Sequence, residues 1–251
     1  MRGARRILFR LKSVSVITSR YAIALLMLLP AILKAQRQTI YTNGVWLCHF
    51  GNIHLNNRLT IVSETELHLK QWMKRWNEQV LDIGLSDKLN DKWREGAGIG
   101  LYRGAQYFDE LFFKNEWRAW QEVNYTLKGK WVFWQRMRVE ERWIQGVKDG
   151  QKMNSYDYVM RMRYRTELQK PLYNGKIIPV IANEFMASPG YWNSDRFLDQ
   201  NRSWVGVNFK VSRTIVLQTQ YMKIFQWRPN NTLEDQNIFR VNIAQRFNQK
   251  G

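Results

Sequence analysis

Cysteine, histidine and long apolar runs are all scarce in this chain. The one cysteine, Cys48, permits no intramolecular disulfide and no cysteine-based metal cluster, and we expect it to be a small apolar strand residue. The three histidines, His49, His54 and His68, lie in no metal-ligand spacing such as HExxH, and no GxSxG motif is present. We therefore predict no metal site, no cofactor and no catalytic residues.

The chain has a single strong apolar run, which excludes a bundle of membrane helices. The run covers residues 21–33 and is 13 residues long, short of the roughly 20 residues that a spanning helix needs. It follows a basic segment and ends at Lys34-Ala35-Gln36, which is typical of a secretory signal. We predict a signal peptide over residues 1–35, cleaved after Ala35. An uncleaved anchor helix is the alternative interpretation.

Acidic residues are too few to balance the basic ones, and the formal net charge is +18. Residues 1–35 contain seven basic residues and no acid, so the remainder has 32 basic against 21 acidic residues, a net charge of +11. Such a charge suits nucleic acid or anionic lipid. Because the export signal removes the chain from nucleic acid, we expect no nucleic-acid partner and favour the anionic lipid of an outer leaflet.

Period-two alternation of apolar and polar residues runs through the whole mature chain and indicates half-buried β-strands. In residues 158–168 the apolar face alternates with Arg161, Arg163 and Arg165. Three arginines on one strand face cannot lie in a dry core, so that face must meet water or matching acids. We count eleven alternating segments, at residues 45–54, 59–70, 80–89, 95–103, 115–127, 131–143, 158–168, 177–186, 202–211, 215–225 and 238–247.

The connections between these segments differ in length. Short turns are predicted at residues 54–57, 89–91, 127–130 and 212–214, and long polar loops at residues 71–78, 103–111, 145–155, 188–201 and 228–236. Short turns at one end and long loops at the other are typical of an outer-membrane barrel, and bacterial barrels usually have an even number of strands. We therefore predict an all-β fold, a single antiparallel up-and-down transmembrane β-barrel over residues 36–251, with ten to twelve strands and twelve favoured.

The charged strand faces are the candidate functional residues, because they point into the lumen if the apolar faces meet lipid. They are Glu64, Glu66, Glu116, Arg118, Glu122, Arg136, Arg138, Glu140, Arg142, Arg161, Arg163, Arg165 and Glu184. Acids and arginines on neighbouring strands predict cross-strand ion pairs that fill and stabilise a narrow barrel. The functional alternative is a polar conduit or an anion-selective site.

Two further patterns fit a barrel. Aromatic residues near strand ends or on outer faces predict interfacial girdles: Trp117, Tyr125, Trp131, Tyr158, Tyr164, Trp204, Tyr221 and Trp227. The alternating Gly96, Gly98 and Gly100 have the wrong spacing for a dinucleotide-binding loop. We expect these glycines to thin one strand face where bulky lumen side chains approach.

Three short motifs occur in a familiar order. They are Asn115-Glu-Trp-Arg-Ala-Trp-Gln-Glu122, Arg136-Met-Arg-Val-Glu-Glu-Arg142, and Asn201-Arg202 with Gly206. In this order and spacing the chain resembles, from Trp46 to Phe247, a family of Bacteroidota outer-membrane proteins known as domain of unknown function 2490. The end of the predicted signal is similar to those common in that phylum. The resemblance implies an outer-membrane barrel, and it implies no activity and no catalytic residues.

These observations predict a cell outer-membrane β-barrel of a Gram-negative bacterium, with a structural, binding or minor small-solute transport role. We expect it to contact outer-membrane lipid, and the barrel-assembly machinery during insertion; its solute is not indicated. One alternative is a soluble periplasmic β-barrel that binds a small apolar ligand, which would place the arginines outside. Another is an outer-membrane lipid-modifying enzyme, which would need a nucleophile and a base on adjacent strands.

Overall fold

A computed structural model describes residues 38–105, 112–189, 198–228 and 232–248 of the chain. These residues form β-strands and their connecting turns. No helix in the described part of the chain is long and apolar enough to cross a membrane. The predicted signal peptide, residues 1–35, lies outside the described residues.

The described residues form a closed barrel of eleven strands, in which each strand pairs with its neighbours in sequence. The strands are β1 (Gln38–His54), β2 (Leu59–Lys70), β3 (Arg75–Lys88), β4 (Trp93–Ala105), β5 (Phe113–Lys128), β6 (Val132–Lys148), β7 (Gln151–Gln169), β8 (Ile177–Ala187), β9 (Leu198–Lys210), β10 (Ile215–Arg228) and β11 (Thr232–Asn248). Each of the eleven predicted segments corresponds to one of these strands. The all-β barrel is therefore confirmed.

The barrel closes through a parallel pair, which explains its odd strand number. Every consecutive pair from β1 to β11 is antiparallel, so β1 and β11, which are neighbours in the barrel, run in the same direction. The His49 Nε2 atom lies 3.3 Å from the Gln245 Oε1 atom across this seam. The preference for twelve strands was wrong, because it assumed an antiparallel closure, which requires an even number.

Two of the predicted long loops are tight turns. β2 and β3 extend to Lys70 and Arg75, so that a four-residue turn replaces the loop predicted at residues 71–78. β6 and β7 are joined by Asp149 and Gly150, whose φ angles of 50° and 74° suit a two-residue hairpin turn. The sequence-based loop prediction was wrong here because the polar residues of these segments remain paired across strands. These two connections are therefore as short as most of those at the other end of the barrel.

The outer wall of the barrel is apolar and exposed, whereas its inner wall is charged. Leu81, Ile99 and Met137 project outward and are 56%, 59% and 59% exposed, although they lie in the middle of long strands. On the adjacent inward positions, Asp82 is 2% exposed and Arg138 is 6% exposed. The barrel is thus the reverse of a soluble protein, in which apolar side chains fill the interior.

One row of polar residues crosses this apolar outer wall. From β11 to β6 the row consists of Asn237, Lys223, Ser203, Asn183, Thr166 and Gln135, each paired in register with the next. Members of the row bond to one another: Asn183 Nδ2 donates to Ser203 Oγ at 2.7 Å, and Lys223 Nζ donates to Asn237 Oδ1 at 3.1 Å. These lateral bonds satisfy the polar groups of the row without water.

Glycines on β3 and β4 form a groove on the inner wall that holds one large side chain. A Cβ atom on Gly98 would lie 2.4 Å from the Trp120 ring and 2.3 Å from the Ile83 carbonyl oxygen, and one on Gly84 would lie 2.5 Å from Trp120. Trp120 is 3% exposed. The expectation that glycines thin this wall for a bulky lumen residue is confirmed.

We predict that Gly98→Ala destabilises the barrel by about 1–3 kcal/mol, because the added methyl group overpacks the groove against both backbone and ring. Gly104→Ala on the same strand is the control, since a Cβ atom there meets nothing within 4 Å. Urea unfolding of the two variants in detergent micelles measures the effect. Equal unfolding free energies would contradict the role given to the groove.

Candidate functional site

A single large cavity occupies the lumen of the barrel. Its volume is about 1510 Å³, and its lining runs from Gln71 and Arg228 beside one set of turns to Thr126 and Val132 beside the other set. Of the thirteen charged residues singled out from the sequence, twelve line this cavity. The remaining one, Glu140, is fully buried and binds two of those arginines. All thirteen side chains therefore lie on the inner wall.

Glu140 lies at the centre of the charged network. Arg163 Nη1 donates to Glu140 Oε1 at 2.6 Å, and Arg118 Nη1 lies 3.5 Å from Glu140 Oε2. Arg138 Nη1 approaches the same carboxylate to 4.0 Å. These arginines come from β5, β6 and β7, so one carboxylate links three strands. A buried carboxylate in this position is stable only because positive charges surround it.

Two further carboxylates join arginines of neighbouring strands. Glu184 on β8 accepts hydrogen bonds from Arg136 Nη2 at 2.7 Å and from Arg163 Nη2 at 2.9 Å. Glu122 on β5 accepts hydrogen bonds from Arg138 Nε at 2.8 Å. The predicted cross-strand pairs are thus present, and they continue along the inner wall from β5 to β8.

Several residues of this network were not singled out from the sequence. The His68 ring lies between two carboxylates, with Nε2 2.6 Å from Glu66 Oε2 and Nδ1 3.1 Å from Glu78 Oε2. It also stacks on Trp46, with ring centroids 3.7 Å apart. His68 alternates with the apolar residues of β2, so the sequence pattern predicted that its side chain faces the lumen. Its contact with Glu78 depends on the register between β2 and β3, which the sequence pattern does not indicate.

Two more pairs depend on residues far apart in the sequence. Arg161 of β7 forms an ion pair with Asp199 at 2.5 Å, although Asp199 falls within a segment predicted to be a loop. Arg240 of β11 lies 3.3 Å from Glu66 of β2. No sequence pattern indicates such partners, because Arg161 meets Asp199 across β8, and Arg240 meets Glu66 across β1 through the closure of the barrel.

Aromatic rings inside the lumen are covered by guanidinium groups. The guanidinium carbon of Arg138 lies 4.3 Å from the centroid of the Trp120 ring. The corresponding carbon of Arg165 lies 4.5 Å from the Trp204 ring. Such cation–π contacts hold flexible arginine side chains in fixed positions. They also narrow the free space between the walls.

One aromatic residue does not lie where the girdle interpretation put it. Trp204 is 3% exposed and packs inside the barrel with Trp46 and Met222. The prediction was wrong because Trp204 alternates with Val205, and it is Val205 that faces outward at 53% exposed. Five of the remaining seven are well exposed, namely Trp117, Trp131, Tyr158, Tyr164 and Tyr221.

Acids and arginines are distributed unevenly around the inner wall. The wall formed by β2 and β3 carries four acids, which are Glu64, Glu66, Glu78 and Asp82. The wall formed by β6 and β7 carries six arginines, which are Arg136, Arg138, Arg142, Arg161, Arg163 and Arg165. Many of these charges are paired, as in the contact of 3.9 Å between Arg138 Nη1 and Asp82 Oδ2, so the lumen presents charged groups of both signs to a solute. The site can therefore bind charged groups, and no group of acids, histidines or cysteines in the described residues is arranged to hold a metal ion.

We predict that Glu140→Gln lowers the free energy of unfolding by about 3–5 kcal/mol, because it leaves Arg118 and Arg163 buried without their shared counter-charge. Glu141→Gln is a matched control on the next residue, whose side chain is exposed on the outer wall. Its effect should stay within about 0.5 kcal/mol. Urea titrations of both variants in micelles make the comparison, and a Glu140 variant as stable as the control would refute the central role of this carboxylate.

Comparison with known proteins gives one family and one similar fold. No curated protein matches the chain. Among solved structures, the chain is similar to the β domain of the Bordetella autotransporter BrkA, with 9% identity, a TM-score of 0.41, and coverage of 76% of this chain and 81% of that chain. At that score the likeness carries no argument about function. The family described as protein of unknown function (DUF2490) matches residues 43–237, and the chain therefore belongs to the DUF2490 family.

Proposed function

We propose that this protein is an outer-membrane β-barrel of a Gram-negative bacterium whose charged lumen admits a small polar solute. The observation that carries the proposal is the reversed polarity of the barrel, with an exposed apolar outer wall around a charged cavity. The predicted signal peptide over residues 1–35 would deliver the chain to the periplasm, and the barrel-assembly machinery would insert it. The resemblance noted in the sequence favours a source in Bacteroidota.

Membrane insertion follows from the energetics of the outer wall. Large apolar side chains such as Ile83, Ile181 and Val205 are more than half exposed on that wall. Lipid would remove this apolar surface from water, at about 25 cal/mol for each Å² buried. Because the barrel is closed, its backbone groups are paired within the wall, which is the condition for a β-structure to cross a bilayer.

The soluble alternative requires the opposite arrangement. A periplasmic barrel that binds an apolar ligand would have arginines outside and apolar side chains around the cavity. Here Arg161, Arg163 and Arg165 line the cavity, and Tyr158, Met160 and Met162 face outward. The enzyme alternative needs a nucleophile beside a base. The His54 Nδ1 atom lies 3.0 Å from the Thr60 Oγ1 atom, but Thr60 is only 3% exposed. The contacts of His68 in the described chain are with carboxylates and an indole ring.

The charge pattern of the lumen favours a zwitterionic solute. The arginines of β6 and β7 outnumber the acids on the inner faces of those strands, whereas β2 and β3 contribute four acids to the cavity, so the lumen contains partners for charges of both signs. A small solute with both charges can align its positive group toward Glu64 and Asp82 and its negative group toward Arg136. We therefore propose zwitterions of amino-acid size as the solute class.

We predict that the protein is recovered in the outer-membrane fraction and migrates faster on gels before boiling than after it, because a closed hydrogen-bonded barrel resists detergent until heated. The measurement is heat-modifiable mobility combined with membrane fractionation of the source cells. A protein that stays in solution without detergent, and that migrates identically before and after boiling, would refute the membrane proposal.

We predict that proteoliposomes containing the protein admit glycine faster than an uncharged sugar of similar size. Ala244→Trp should lower the glycine rate several-fold, because Ala244 lines the cavity and the larger ring would obstruct it. Val241→Trp on the same strand is the control, since Val241 alternates with the inward Arg240 and Asn242 and faces outward. Osmotic swelling rates provide the measurement. Swelling equal to that of empty liposomes would leave the lumen with a structural role only.

A further inference from the structure

We propose that three adjacent turns at one end of the barrel form a binding surface for the phosphate groups of lipid headgroups. The surface, named here the basic arc, consists of Lys128, Lys130, Lys170, Lys176, Lys210 and Arg213. The proposal rests on the membrane insertion proposed above and adds the lipid chemistry that one rim recognises. Nothing in the lumen takes part in it.

The basic arc is continuous along the rim. It spans the turns between β5 and β6, between β7 and β8, and between β9 and β10. The backbone N–H of Lys210 donates to the Lys176 carbonyl at 2.9 Å, which joins the second and third turns. The Lys170 ammonium lies 5.0 Å from the centroid of the Trp131 ring, which joins the first and second turns. The six cations therefore form one surface rather than three.

No acid balances these cations within the arc. Residues 127–132, 169–178 and 209–215, which contain the three turns, include no aspartate and no glutamate. The other two turns at this end are different, because Arg58 binds Asp87 at 2.6 Å and Lys88 binds Asp91 at 2.6 Å. The hydrogen bond and charge of Lys88, and to a smaller extent the charge of Lys128, lower the pKa of the exposed Asp91 carboxyl group. Positive charge is thus concentrated in one part of the rim.

The arc is exposed and stands beside apolar surface. Five of its six residues are exposed and Lys170 is half-buried. Trp131, Tyr173 and Val211 on the same turns are 46%, 75% and 65% exposed. Aromatic rings next to lysines mark the level of lipid headgroups in membrane proteins, because the ring prefers the interface and the ammonium reaches phosphate. Exposed apolar side chains beside the lysines favour a lipid over nucleic acid or a soluble acidic protein as the ligand.

Most cations in the described turns at the opposite end of the barrel lie beside acids. There Lys148 is followed by Asp149, and Lys70 forms an ion pair with Glu234 at 3.2 Å. Arg228 binds the same glutamate at 2.7 Å. These cations lie beside acids or are paired to them. The turn between β2 and β3 is the exception, because its Lys74 lies next to Trp72, which is 60% exposed. The two rims of the barrel consequently differ in the lipid chemistry that they can bind.

The test compares lipid retention by the full-length barrel in neutral detergent micelles. We expect native mass spectrometry to show about tenfold more bound phosphatidylglycerol than phosphatidylcholine, with a preference that weakens at high salt. An arc variant carrying Lys128→Gln, Lys130→Gln, Lys176→Gln, Lys210→Gln and Arg213→Gln should lose this preference. The control variant carries Lys74→Gln, Lys148→Gln and Lys152→Gln at the opposite end and should keep it. Equal retention by the arc variant and the wild type overturns the proposal.

Two additional arms separate the possible causes of failure. Inorganic phosphate at millimolar concentration should not displace phosphatidylglycerol; complete displacement would identify a free-phosphate site and overturn the lipid proposal. Heat-modifiable mobility of the arc variant should match that of the wild type, because the altered side chains lie in exposed turns. A barrel that inserts into liposomes without lipid preference refutes only the basic arc, whereas a barrel that fails to insert refutes the membrane proposal itself. The double variant Lys128→Gln and Lys130→Gln, confined to one turn, repeats the test with less change to the fold.

Discussion

Pairing of buried arginines with buried carboxylates is the constraint on which the rest of this barrel depends. A charge moved from water into a protein interior is stable only when opposite charges and hydrogen bonds replace the water. Glu140, Glu184 and Glu122 each contact more than one arginine side chain. The network therefore connects strands β5 to β8. Register, side-chain length and wall geometry must all agree for these contacts to form.

The glycines of β3 and β4 make this network possible on the opposite wall. Because Gly84 and Gly98 have no side chains, the Trp120 ring lies flat against the backbone. Arg138 then stacks on that ring and brings its guanidinium to within 3.9 Å of Asp82. A bulkier wall would push the ring and the arginine toward the centre of the lumen. Small residues at a few positions thus decide how much of the lumen stays open.

The reversed polarity of the barrel links its structure to its proposed role. Under the proposed function, the apolar outer wall would be stable in lipid, and the charged interior would hold water and a polar solute. The ends of the barrel add a second distinction, since basic side chains without acids cluster on one rim. In this view the outer wall sets the depth of the barrel in the membrane, the rim selects the lipid, and the lumen selects the solute.

The sequence by itself located the eleven alternating segments, although twelve strands were favoured, and it determined the side of the wall on which most side chains lie. This was possible because side chains alternate along a strand with a period of two, so that the apolar and polar residues of each strand indicate which side chains face outward and which face the lumen. Thirteen charged residues could be assigned to the lumen in this way. Trp204 was wrongly assigned to an interfacial girdle because the assignment followed its aromatic character and not its position opposite the outward Val205. Tertiary structure alone decided the parallel closure of β1 on β11, the short turns at Gln71 and Asp149, and the partners of His68 and Arg240. Those features depend on which residues of distant strands come into register, and register is fixed by the closed barrel as a whole rather than by any local run of sequence.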